Sequence, residues 1–92
     1  MRLPEGLNKY FVSIEKGCSS DSYVLMVRWG ERDNVWKRLK EKCPQAEGVG
    51  GIFYRFKLPG GRLTFYVKTG KLMVEPEGKD VTTLLSEIFG GE

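Results

Sequence analysis

A chain of 92 residues suffices for one small domain, a single sheet with a helix or two packed on it, and is too short for two cores or a large enclosed active-site cavity. With 40% apolar and 29% charged residues the composition is globular rather than disordered; no apolar run is long enough to cross a bilayer, and the opening "MRLPEGLNKYF" lacks the apolar stretch of a secretory signal. The expectation is a cytoplasmic protein that makes no use of a membrane, and the net charge of +3 does not by itself demand a polyanionic partner, so the distribution of the cations matters more than their sum.

Residues 3–16 place Leu3, Leu7, Tyr10, Phe11 and Ile14 at three- and four-residue spacings, with Pro4 at a first-turn position and Gly17 as a stop. That pattern predicts a helix; a strand over "KYFVSIEK" is the competing reading. "GCSSDS", residues 17–22, is turn-forming, so residues 1–21 read as an N-terminal segment of helix plus loop ahead of a main domain over residues 22–92. "YVLMVRW", residues 23–29, is β-branched and aromatic and predicts a strand, which Gly30 ends and after which Asp33 offers a helix N-cap. "NVWKRLKEKC" then puts Val35, Trp36, Leu39 and Cys43 on one helical face and Lys37, Arg38, Lys40, Glu41 and Lys42 on the other, with Pro44 as the stop. "PQAEGVGG" is a glycine-rich loop. "IFYRFKLPGGRLTFYVKTGKLMVEPEG", residues 52–78, predicts three antiparallel strands joined by two tight glycine turns. Finally Asp80 caps a helix whose apolar stripe is Val81, Leu84, Leu85 and Ile88, closed by Gly90 and Gly91. The fold class is α+β, an antiparallel sheet with helices packed on one face.

The two-residue period of strands sorts residues 52–78 into two faces. Ile52, Tyr54, Phe56, Leu58, Leu63, Phe65, Val67, Leu72 and Val74 form the core face. The opposite face carries Phe53, Arg55, Lys57, Arg62, Thr64, Tyr66, Lys68, Lys71 and Met73, and then Glu75. A one-sided sheet always has a wet face, for which Lys, Arg, Thr and Tyr are ordinary residues. Phe53 and Met73, expected to be exposed among charges of one sign, ask for a cover as well. A polyanion with flat apolar groups is one such cover, phosphates on the cations and sugars or bases on Phe53 and Tyr66; a second copy of the chain is another.

Catalysis and metal binding find little in the sequence. There is no histidine, no serine with a partner base and no phosphate loop of the GxxxxGK[ST] type; Glu75, Glu77 and Asp80 fall at a strand end and a helix cap, where acids serve local purposes. Cys18 and Cys43 lack the paired spacing of a zinc site, so no metal or cofactor is expected and the two thiols read as reduced. Few amide side chains (Asn8, Asn34, Gln45) beside abundant Lys, Arg and Glu is a thermophile-like composition, under which a Cys18–Cys43 disulfide is the alternative.

The order of elements, Arg55 and Pro59 at the first turn, and the "TGK" turn at residues 69–71 followed by Leu72, Met73 and Val74 resemble one half of the TATA-box-binding protein fold. The chain is similar above all to the N-terminal substrate-binding domain of type-three ribonuclease H, over residues 22–89. The resemblance implies a curved sheet that lies on nucleic acid with the helices behind it, Arg55 as a phosphate contact, Lys71 and Met73 on the concave face, and duplex or RNA–DNA hybrid as ligand. Val49 stands where the DNA-bending members carry an inserting phenylalanine, so intercalative kinking is not implied. Promoter-binding members carry two halves, and a homodimer joined along a sheet edge would restore the saddle. The expected function is thus a non-catalytic DNA- or RNA-binding domain that uses the open basic and aromatic face. The alternative is a protein-interaction or dimerisation module within a larger complex.

Overall fold

Alternation along "FYRFKL", "GRLTFY" and "KLMVEP" sends every second side chain to a shared apolar face, and in the computed structural model, which describes residues 5–17 and 21–90, these segments are neighbouring antiparallel strands. The strands in chain order are β1 (Phe11–Lys16), β2 (Tyr23–Val27), β3 (Glu47–Val49), β4 (Phe53–Leu58), β5 (Gly61–Tyr66) and β6 (Lys71–Pro76). They form one curved sheet in the order β1-β2-β6-β5-β4-β3, antiparallel throughout. Helices α1 (Arg32–Lys42) and α2 (Val81–Phe89) pack on one face, so the molecule is α+β as the sequence predicts.

The core lies between that face and the helices. Phe56, Leu63, Phe65, Leu72 and Val74 from the sheet meet Val35 and Leu39 of α1 and Val81, Leu84, Leu85, Ile88 and Phe89 of α2. Asp80 caps α2 as expected: its Oδ1 accepts the Thr83 backbone N–H at 2.7 Å, and that bond holds the Asp80 carboxyl below the usual carboxylate range. At the β4–β5 turn, Gly60 has φ +102°, a conformation that side chains disfavour, so "LPGG" turns tightly enough for Leu58 to pair with Gly61.

Several expectations need correction. The helix expected over residues 3–16 is not formed by the described part of that segment: Glu5–Leu7 form a single 3₁₀ turn, and Phe11–Lys16 are the edge strand β1, paired with β2. The helical spacing has a physical origin in a bulge. The β1 register slips between Phe11 and Ser13, and one extra residue there puts Phe11 and Ile14, three apart, on the same buried side while Val12 is 58% exposed. Tyr10 and Phe11 pack on Phe89 of α2, ring centroids 5.6 and 5.1 Å away, and with Leu7 and Ile14 they are part of the one buried core cluster. The expected glycine-rich loop contains β3, in which a side chain at Gly48 would strike the Phe53 carbonyl oxygen. The strand expected over residues 23–29 stops at Val27, and Trp29–Glu31 make a 3₁₀ turn that runs into α1. Glu31 therefore occupies the N-cap position of α1, without a side-chain cap bond, and Asp33 sits in the first turn. Ile52, expected in the core, precedes β4 and is 52% exposed. Cys43 is a free, half-buried cysteine at the end of α1; Cys18, and with it the Cys18–Cys43 pairing, lies outside the described residues.

Candidate nucleic-acid interface

Residues directly opposite on adjacent strands share a face, so the register fixes the layout of the side that carries no helix. One row runs Phe53, Tyr66, Lys71, Met26, Ser13 across β4, β5, β6, β2 and β1. The next runs Glu47, Arg55, Thr64, Met73, Val24, Glu15 across the full sheet. A third runs Lys57, Arg62, Glu75 beside the β4–β5 turn. The structure thus brings together eight of the residues expected on this face: Phe53, Arg55, Lys57, Arg62, Thr64, Tyr66, Lys71 and Met73. Lys68 is different. Strand β5 ends at Tyr66, and Lys68 is an exposed residue of the turn that leads to β6.

Within the rows the aromatic and basic groups touch. The rings of Phe53 and Tyr66 lie 6.1 Å apart, and the Arg55 guanidinium sits 5.8 Å above the Phe53 ring. Phe53 and Met73 are therefore half-buried rather than exposed, because their own neighbours cover part of them. Thr64, at the centre of the face, is only 6% exposed and has little surface to offer a ligand. Arg55, Lys57, Arg62 and Lys71 remain exposed.

The charges are not of one sign. Glu47 stands directly across from Arg55, Arg62 Nη2 lies 3.6 Å from Glu75 Oε2, and Glu15 closes the middle row. Sequence reasoning placed Glu75 here but missed Glu15 and Glu47, together with Val24 and Met26, because β1 and β3 were not recognised as strands and the facing side of β2 was not assigned. The cations concentrate towards β4, β5 and the start of β6, and the acids flank them. This half of the face offers four exposed cations beside two rings tilted against each other.

Comparison with protein-family models, with curated proteins and with solved structures finds no match.

The remaining chemistry is sparse. Among the described residues no group of three or more His, Cys, Asp or Glu is arranged to hold a metal ion, and no helix is long and apolar enough to cross a membrane. Helix α1 is the other basic surface: Lys37, Arg38, Lys40 and Lys42 follow Arg32, against Asp33 and Glu41. The outer edge of β2 is occupied by β1, a bulged strand that forms one edge of the sheet among the described residues.

Proposed function

We propose that the domain is a non-catalytic nucleic-acid-binding module that lays the β4–β5–β6 part of its open sheet face on the phosphate backbone of a duplex or RNA–DNA hybrid. The observation that carries this reading is the contiguous array of Phe53, Tyr66 and Lys71 with Arg55 in the next row, and Lys57 and Arg62 beyond it, on a face that no helix covers. The preference for duplex or hybrid rests on the resemblance to the ribonuclease H accessory domain. The order strand, helix, four strands, helix from β2 to α2 supports that resemblance. Helix α1 has the larger cationic excess, but its outer face lacks the paired rings that would take up sugars or bases.

In this reading Arg55, Lys57, Arg62 and Lys71 supply the charge, with Lys68 reaching from the adjoining turn. Phe53, Tyr66 and Met73 supply flat apolar contact, and Thr64 is a filler beneath them. The Arg62–Glu75 ion pair, and Glu47 on the strand position opposite Arg55, keep the affinity modest, in the range of roughly 10⁻⁴ to 10⁻⁶ M typical of non-specific contacts at physiological salt. The test is anisotropy of labelled hybrid and duplex across a salt series. Five neutralised phosphates set an upper bound on the slope of log affinity against log salt near about −4.5, and Arg55→Glu with Lys71→Glu lowers its magnitude by about 2. Reversal of Lys37 and Arg38 in α1 serves as the control and leaves the slope unchanged. An α1 reversal that abolishes binding, with the sheet variant unaffected, contradicts the reading.

A second reading, assembly of two copies through the β1 edge, has one observation in its favour, the exposure of Val12 on that edge strand. A dimeric mass in solution that Val12→Lys converts to a monomer would establish it.

A further inference from the structure

Behind the sheet, where α1 begins over the ends of β4 and β5, an open cleft of about 610 Å³ falls within the size range of small-molecule sites. Trp29, Trp36, Tyr54 and Val67 form its apolar walls, and Arg32 and Asp33 bring one charge of each sign. The two indoles are held differently. Trp36 is half-buried and fixed against Tyr54, with ring centroids 4.5 Å apart, so that wall is rigid. Trp29 is 72% exposed in a 3₁₀ turn that buries none of its residues, braced by the Arg32 guanidinium 4.7 Å from its ring centroid.

Charge selects the occupant. Each indole already has a cation over it, Arg32 at Trp29 and Lys40, 5.7 Å from the ring centroid, at Trp36, so a quaternary ammonium or other cationic guest meets like charge at both rings. A planar heteroaromatic meets no such opposition and stacks on the exposed indole once the Arg32 guanidinium swings from the ring to the edge of the base. Its polar edge must serve a carboxylate and a guanidinium at once. Guanine has adjacent N–H donors for the two oxygens of Asp33 and carbonyl and ring-nitrogen acceptors for Arg32.

We propose that this cleft binds one unpaired guanine base, stacked on Trp29 and read at its edge by Asp33 and Arg32. The inference rests on the reading of the chain as a nucleic-acid binder, but it uses none of the open-face residues.

The test follows the indole N–H resonances of Trp29 and Trp36 in the ¹⁵N-labelled protein, titrated with guanosine 5′-monophosphate, and with inosine 5′-monophosphate, cytidine 5′-monophosphate and choline chloride as comparators. Guanosine monophosphate is expected to shift both resonances saturably. Trp29→Ala, an exposed change that leaves the core alone, weakens that binding about tenfold or more as read at Trp36. Asp33→Asn abolishes the preference for guanosine over inosine monophosphate, which lacks the second donor. Absence of a saturable shift, insensitivity to Trp29→Ala, or choline binding in place of the nucleotide overturns the proposal. The Arg55→Glu, Lys71→Glu protein separates the two readings: nucleotide shifts that persist in it support the cleft as an independent site, and their loss contradicts it. Nucleotide shifts in a wild-type protein that binds no hybrid would remove the sheet-face reading and leave the cleft standing.

Discussion

Phe11→Ala tests whether the first strand is part of the fold or an appendage to it. Phe11 is fully buried on β1, packs edge-on against Phe89 of α2 at 5.1 Å and lies 6.3 Å from Tyr10, so truncation leaves a cavity between the edge strand and the last helix. Phe→Ala changes at such sites cost about 3 to 5 kcal/mol, a fifth or more of the roughly 5 to 15 kcal/mol that holds a small domain together. With a urea slope near 1.5 kcal/mol per molar, the denaturation midpoint falls by about 2 to 3 M at unchanged slope. Phe56→Ala, on β4 towards the other end of the sheet and equally buried, is the comparison and is expected to fall by a similar amount. A midpoint shift below about 0.7 M for Phe11→Ala, beside a large one for Phe56→Ala, would refute the placement of β1 in the main core.

Further expectations concern the capped helix, the shortest strand and the aromatic wall. Because hydrogen bonding lowers the Asp80 pKa in the folded protein, the cap stabilises fully above the ordinary aspartate value, and that contribution is lost as pH falls below about 4 and through the lowered value. Asp80→Asn, which still accepts the Thr83 N–H, should flatten that limb of a stability-versus-pH curve measured by thermal unfolding; an unaltered limb counts against the assignment. Gly48→Ala drives a methyl group into the Phe53 carbonyl oxygen and to 2.8 Å from the Tyr54 Cα, so β3 should lose hydrogen-exchange protection while β4 to β6 keep theirs. Equal protection in the variant would mean that β3 is not paired as described. Trp36→Ala removes the ring that packs on Tyr54 and on Phe56 at 5.7 Å, and a loss of about 2 to 4 kcal/mol is expected from urea unfolding, less than for a fully buried tryptophan.

What the sequence disclosed and what it concealed follow from the same rules. Helix α2 was legible because capping and apolar spacing agree in one segment, Asp80 followed by Val81, Leu84, Leu85 and Ile88. The faces of β4 to β6 were legible because strict alternation runs through each, and alternation misled only beyond the strand ends, for Ile52 ahead of β4 and for Val67 and Lys68 after β5. Strand β1 was concealed because a bulge gives Phe11 and Ile14 the spacing of a helix, although β-branched Val12 and Ile14 favoured the competing strand. Strand β3 was concealed because "EGV" is three residues long, and its glycine is needed for close approach to β4 rather than for a turn. The misread strands are the ones that bring Glu15 and Glu47 to the open face, so a patch that reads as basic from residues 52–78 alone becomes a basic sector with acidic flanks. The cleft at Trp29 was out of reach for another reason. It joins a turn, a helix start and two strand ends that are far apart in the chain, and Trp36 reads as core on helical spacing alone.

The most direct test of the sheet-face account uses its own reporters. Of the three methionines, Met26 and Met73 lie on the open face, and both tryptophans lie on the helix side. Titration of a blunt-ended RNA–DNA hybrid into protein labelled at the methionine methyl groups and the indole nitrogens should shift Met73 most, Met26 less, and leave Trp29 and Trp36 in place, since such a hybrid offers no unpaired base. Shifts confined to the indoles, or a Met73 resonance unmoved while the hybrid binds, would contradict the assignment of the open face as the binding surface.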